Sequence, residues 1–205
     1  MVLVSCHDST KSNHESRKNV KEWIIPLENN LGSISISLSD NFDTLFKWTQ
    51  YSDCGDPCAH TNYRIQRKNF PIFKESGFYY KSLKDSVYQF TIKHAKITHY
   101  NSTSDTFIVN QYAHKLKDEE FENLSGKYLI DTLITLNKKP FSVIAFSTID
   151  TTNKAIIQKL NAITSIHGNL IEFYFENKHI GKDSSSKEFI QSSFAALKMI
   201  RFLKN

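Results

Sequence analysis

The densest run of side chains able to do chemistry is Asp53, Cys54, Asp56, Cys58 and His60. Thiolates and imidazoles ligate zinc, so Cys54, Cys58 and His60 are metal-capable. Their Cys-x3-Cys-x-His spacing lacks a second ligand pair, and no metal is expected there. Three residues separate the thiols where a dithiol redox motif has two. Gly55 and Pro57 suit a tight reversal, which leaves two readings of Cys54 and Cys58: a local disulfide in an oxidising compartment, or two free thiols in a surface turn. Elsewhere, Ser184 and Lys187 set a hydroxyl and an amine one helical turn apart. The companion motifs of Ser/Lys acyl-transfer enzymes are missing, and serines ahead of a helix commonly cap it. His94, His99, His114, His167 and His179 share no motif, so no catalytic residue is predicted. Six glycines, with no GxGxxG and no GxxxxGK[ST], offer no phosphate-cradling loop, and no cofactor is expected.

The N-terminus carries a clue to location. Leu3-Val4-Ser5-Cys6 is a short run of apolar and small residues ending in cysteine, and His7 to Lys21 is then polar and charged. The run resembles the lipobox of bacterial lipoproteins. That resemblance implies lipidation of Cys6, peripheral membrane attachment through the lipid, and residence in the periplasm or at the outer membrane. An unlipidated cytoplasmic chain is the alternative. With Cys6 acylated, the three cysteines divide into one anchor and the pair Cys54 and Cys58.

Charge has a location too. The chain carries a formal net charge of +5. Between Arg64 and Lys96 eight basic residues face only Glu75 and Asp85, a local excess of +6 that leaves the remainder about neutral. Arg64, Arg67, Lys68, Lys74, Lys81 and Lys84 are interleaved there with Phe70, Phe73, Tyr79 and Tyr80. Aromatic faces beside cations can receive an acidic protein partner or an anionic surface ligand; alternatively the rings turn inward and the lysines keep the surface solvated. Nucleic acid is the least expected partner, because no nucleic-acid motif accompanies the charge.

Positioning such a patch requires a folded body. At 205 residues with 40 % hydrophobic residues and 15 Phe, the chain is long enough for one sizeable core, and residues 7–16 lack apolar periodicity. The expected division is a signal-peptide remnant and tether over 1–16 and a single domain over 17–205. Val20, Trp23, Ile24, Leu27 and Leu31 follow helical spacing. Ser33–Ser39 alternates strictly and predicts a strand. Thr44–Tyr51, Thr61–Arg67, Tyr88–Lys93 and Phe107–Tyr112 read as further strands, Lys117–Leu136 as a helix that Gly126 interrupts, and Phe141–Thr148 as a central strand. Thr151–His167 reads as a helix with Gly168 as its C-cap, followed by a strand from Ile171 and a last helix over Ser186–Lys204. The predicted class is α+β: a mainly antiparallel sheet packed against helices, with a C-terminal strand-helix-strand-helix segment. Together these features predict a non-catalytic envelope lipoprotein domain that binds a protein partner or surface ligand, an inhibitor or immunity protein being one form. The alternatives are a small envelope hydrolase and a cytosolic protein- or nucleic-acid-binding protein.

Overall fold

Serines that alternate with Ile34, Ile36 and Leu38 make β2 (Ser33–Ser39) a strand with one apolar face, and that face is buried as the alternation requires. The computed structural model describes residues 19–70, 86–97, 103–121, 126–151, 154–180 and 186–203. In chain order the other elements are β1 (Val20–Pro26), β3 (Thr44–Ser52), β4 (Gly55–Gln66), β5 (Val87–Ala95), α1 (Asp105–Phe121), β6 (Gly126–Leu136), β7 (Lys139–Asp150), β8 (Ala155–Ile166), β9 (Asn169–Ile180), α2 (Ser186–Lys198) and β10 (Arg201–Leu203). They form a three-stranded sheet, β1-β2-β10, and a seven-stranded sheet, β3-β4-β5-β9-β8-β7-β6, with every pairing antiparallel. The α+β class expected from the sequence is the class observed.

The large sheet carries a layer on each face. Phe141, Val143, Leu160, Ala162, Phe173, Phe175, Phe90 and Ile65 point to one side and pack against the small sheet and α2, which supplies Phe189, Ile190 and Leu197. Rings interlock across neighbouring strands there, Phe90 lying 4.5 Å from Phe175 and Phe141 5.8 Å from Phe173 by ring centroid. Ile144 and Ile163, on the other face, pack beneath Val109 and Tyr112 of α1.

Four helix or strand expectations are corrected. Val20–Pro26 is a strand: the β-branched Val20, Ile24 and Ile25 lie along an edge whose register with β2 runs from Val20–Ser39 to Pro26–Ser33, and Leu27 and Leu31 bury themselves in the following turn. Phe107–Tyr112 belongs to α1, where buried Ile108 and Val109 and half-buried Tyr112 mark one helical face, and Ser104 Oγ accepts the Phe107 amide at 3.3 Å as an N-cap. Of the predicted helix over Lys117–Leu136, Lys117–Phe121 is helical and Gly126–Leu136 is β6. Thr151–His167 contains β8, so the C-terminal order is strand, strand, strand, helix. Residues 160–166 are all buried because layers cover both faces of β8, which erases the alternation that would have marked a strand. His167 and Gly168, at φ 52° and 78°, form the two-residue turn between β8 and β9, so this glycine closes a hairpin and caps no helix. The last helix starts at Ser186 as expected and stops at Lys198 to allow β10.

Gly32 is the position at which the small sheet admits no side chain. Its φ is +85°, and a Cβ there would lie 2.5 Å from the Leu203 carbonyl oxygen of β10. Gly32→Ala is therefore expected to destabilise the fold by about 2–4 kcal/mol, combining left-handed strain with the displacement of β10. The check is the urea unfolding midpoint, which an accommodating β10 would leave unchanged.

Candidate functional site

Seven strands are wider than the layer that covers their inner face. A cleft of about 800 Å³ remains where the end of β2 and the residues after it face α2 across the start of β5 and the end of β9. Arg67 stands at this cleft, one residue beyond β4. The chain holds it there through local bonds: the Asp43 amide donates to the Gln66 carbonyl at 3.2 Å, the Phe70 amide to the Arg67 carbonyl at 3.1 Å, and the Lys68 amide to Asp43 Oδ1 at 2.7 Å. The guanidinium lies 5.4 Å from the Tyr88 ring centroid and 5.5 Å from that of Phe70. Tyr88 continues the stack, 4.8 Å from Phe42 and 5.6 Å from Phe189.

Among the described residues no carboxylate pairs with Arg67, and its buried Nε has no hydrogen-bond partner. Ser39 Oγ, also lining the cleft, is buried and unpartnered as well. Other walls are polar but engaged: Asn177 Nδ2 donates to Gln158 Oε1 at 3.3 Å, and Lys178 Nζ pairs with Asp150 Oδ2 at 3.2 Å. A cation stacked on aromatic faces, with no carboxylate beside it among the described residues, has the chemistry to accept a negative group.

The structure separates the basic patch read from sequence. Arg67 and Phe70 meet at the cleft, and Lys68 is exposed beside them. Arg64 points to the opposite face of β4, only 3 % exposed, with its guanidinium 4.8 Å from the Trp48 centroid and its Nε donating to Thr91 Oγ1 at 3.1 Å. Phe73, Lys74, Tyr79, Tyr80, Lys81 and Lys84 lie outside the described residues, as does Cys6. Sequence reasoning missed Ser39, Phe42, Tyr88 and Asn177 as cleft residues. Nothing in their spacing could have joined them, since β2 with the turn after it, β5 and β9 deliver them from distant parts of the chain.

No family model and no curated protein matches this chain. Among solved structures, the chain is similar to the solution structure of cyanobacterial PsbP (CyanoP) from Synechocystis sp. PCC 6803, with 8 % identity, a TM-score of 0.46 and coverage of 98 % of both chains. It is also similar to PA94 from Pseudomonas aeruginosa, a protein of unknown function, with 8 % identity and a TM-score of 0.39 over 87 % of this chain and 94 % of that one.

The Cys54 region is a distorted hairpin end. Gln50 pairs with His60 and Ser52 with Gly55, so Tyr51 alone faces the four residues Asp56 to Ala59. This bulge brings Cys54 and Cys58 to a Cα separation of 5.8 Å with their sulfurs in contact. Lys96 braces it, with Nζ 2.8 Å from Asp56 Oδ1 and 3.1 Å from the Tyr51 hydroxyl. Both cysteines are exposed and His60 is half-buried; among the described residues no group of three metal-capable side chains forms. No described helix is long and apolar enough to cross a membrane.

A second polar cluster joins the β1–β2 turn to the large sheet. Glu28 accepts from Lys47 Nζ at 2.6 Å and from Thr61 Oγ1 at 2.7 Å, and Lys47's hydrogen bond is the main reason that the Glu28 carboxyl is held below its ordinary value. Beneath it lies His94, fully buried and stacked on Tyr63 at 5.8 Å. Burial pushes the Tyr63 phenol up to about 12. His94 Nδ1 lies 2.7 Å from the Ala95 carbonyl, so the neutral ring donates there and Nε2 is left without a partner. Burial holds this imidazole below the ordinary 6.5, with Lys47 adding to the shift and Glu28 opposing it.

Because the unfolded chain binds this proton more readily than the folded one, stability is complete above about pH 6.5 and falls as pH drops from there toward the depressed folded value. His94→Phe should flatten this limb while leaving the carboxylate-driven loss at lower pH. Urea midpoints measured across the window test it; an unaltered slope would place the titration elsewhere.

Proposed function

We propose that this chain is the folded domain of a bacterial envelope lipoprotein, tethered by an acyl group on Cys6, that binds an acidic group of a protein partner or surface ligand in the cleft at Arg67. The observation that carries the binding reading is the Arg67 guanidinium itself. Stacked on Tyr88 and Phe70, it is oriented before any ligand arrives, and it has no carboxylate of its own among the described residues. An arriving anion gains charge-assisted hydrogen bonds and displaces no ion pair formed among the described residues. The envelope reading is supported by Leu3-Val4-Ser5-Cys6 and by the sulfur contact of Cys54 and Cys58, whose bond an oxidising compartment would preserve.

The two parts separate experimentally. Titration with propionate should move the side-chain Nε–Hε resonance of Arg67 saturably, whereas the neutral isostere propionamide should not, and Arg67→Gln should abolish anion-dependent shifts at neighbouring Tyr88. Equal responses to acid and amide, or no response to either, would reject the anion site. For the tether, the protein expressed from its own gene in a bacterium should incorporate an alkyne-tagged palmitate, and Cys6→Ser should remove the label. Persistence of label in that variant, or its absence from the parent, would reject acylation at Cys6.

A further inference from the structure

The walls around Arg67 distinguish among the acidic ligands that an arginine alone would accept. An amphiphile with a long alkyl chain needs apolar surface to cover. The rings that floor the cleft are already consumed by the core, Phe42, Phe175 and Phe189 being only 4 %, 1 % and 2 % exposed. The exposed apolar groups of the lining, Val20 and Met199, are 59 % and 51 % exposed and form no buried floor for an alkyl chain, so at about 25 cal/mol per Å² the floor itself adds little to binding one. A polyanion such as an acidic peptide or a nucleic acid meets a second obstacle, because the carboxylates of Asp40 and Glu188 also line the cleft. Among the described residues of the wall Arg67 is the one cation without a carboxylate partner, since Lys178 is paired with Asp150.

What the walls do offer is a set of neutral hydrogen-bonding groups. Ser37, Ser39 and Asn41 approach from the small-sheet side and Ser192 and Ser193 from α2, with Asn177 between them on β9. Ser39 Oγ is buried with no partner, a state that costs stability until something bonds to it. Carboxylates at the rim are acceptors for hydroxyl donors, so Asp40 and Glu188 favour the same ligand that they help to select against polyanions. The half-buried Tyr88 ring supplies an aromatic face beside the cation.

Resting on the anion-binding reading of the cleft, we infer that the ligand is a sugar acid: a polyhydroxylated ring bearing one carboxylate, as in a uronic acid residue of a glycan. The carboxylate takes Arg67, and ring hydroxyls bond Ser39 and donate to Asn177 Oδ1 and to Ser192 Oγ, whose own donor groups are engaged by Gln158 Oε1 and the Phe189 carbonyl respectively. The cleft's 800 Å³ lies within the roughly 300–1,000 Å³ usual for small-ligand sites and holds a mono- or disaccharide.

The test uses the full chain and four titrants read by the same Arg67 and backbone resonances: D-galacturonate, D-galactose, hexanoate and triglutamate. Galacturonate should bind about tenfold more tightly than propionate, the gain expected from two additional hydrogen bonds of ordinary strength. Galactose, lacking the acid, should bind more weakly than galacturonate. Ser39→Ala should lower galacturonate affinity several-fold and leave propionate affinity unchanged, with an otherwise native spectrum showing that the fold persists. Galacturonate no tighter than propionate, or hexanoate or triglutamate tighter than galacturonate, would overturn the sugar-acid assignment while the anion site stands. Failure of every anion, propionate included, would overturn both.

Discussion

Strand parity in the seven-stranded sheet governs the placement of nearly everything else. With a layer on each face, a residue's position along its strand decides which layer it enters, and a shift of one position reverses the assignment. On β4, Tyr63 and Ile65 enter the phenylalanine-rich layer beneath the small sheet, while Asn62, Arg64 and Gln66 face the other way. The same rule separates Ile144 and Ile163, which meet α1, from Val143 and Ala162, which meet the larger core. Register is therefore over-determined: a slip in any one strand would exchange buried rings for amides and charges across the whole sheet.

The cleft follows from how that layer is filled. Seven strands at about 4.8 Å each make a face about 34 Å wide. Three strands and one helix of about 10 Å diameter cover only about 24 Å of it, close to two strands too few. The shortfall opens between β2 and α2, over β5 and β9. Both borders remain ordered because the inward rows of β2 and α2 are anchored in the shared core by Ile36, Leu38, Phe189 and Leu197. The opening is thus bordered by elements whose buried rows fix the positions of the polar residues on their exposed shoulders.

Much of the architecture was legible where a strand shows water one face and the core the other. Ser33–Ser39 announces itself by alternation, and Phe141–Thr148 by its apolar run between charged ends. The pattern fails where both faces are covered. In β8, Leu160, Ala162 and Ile166 enter one layer and Ile163 the other, with Asn161 and Thr164 buried between them, so the sequence mimics a helical stripe. α1 fails in the opposite sense: Thr106, Phe107, Ile108 and Val109 have strand propensity, but an N-cap at Ser104 and burial of one helical face against Ile144 and Ile163 override it. Of the site, Arg67 and Phe70 were legible as part of a basic and aromatic stretch. Ser39 and Asn177 were not, because their proximity depends on a long-range register that no local spacing encodes.

Arg64 and Arg67 show why charge counted along a sequence does not predict available charge. Arg64 is at an outward position of a covered strand, and its burial demands satisfaction: Trp48 stacks on it and Thr91 accepts its Nε hydrogen. Removing such partners would leave an uncompensated buried cation, so its charge is committed to the fold. Arg67 lies beyond the end of the same strand, where parity no longer applies, and is half-buried. Stacking on Tyr88 and Phe70, about 0.5–2 kcal/mol per contact, holds the group in place without neutralising it. The strand's end between these two arginines is thus the boundary between a cation paired within the fold and one that has no carboxylate partner among the described residues.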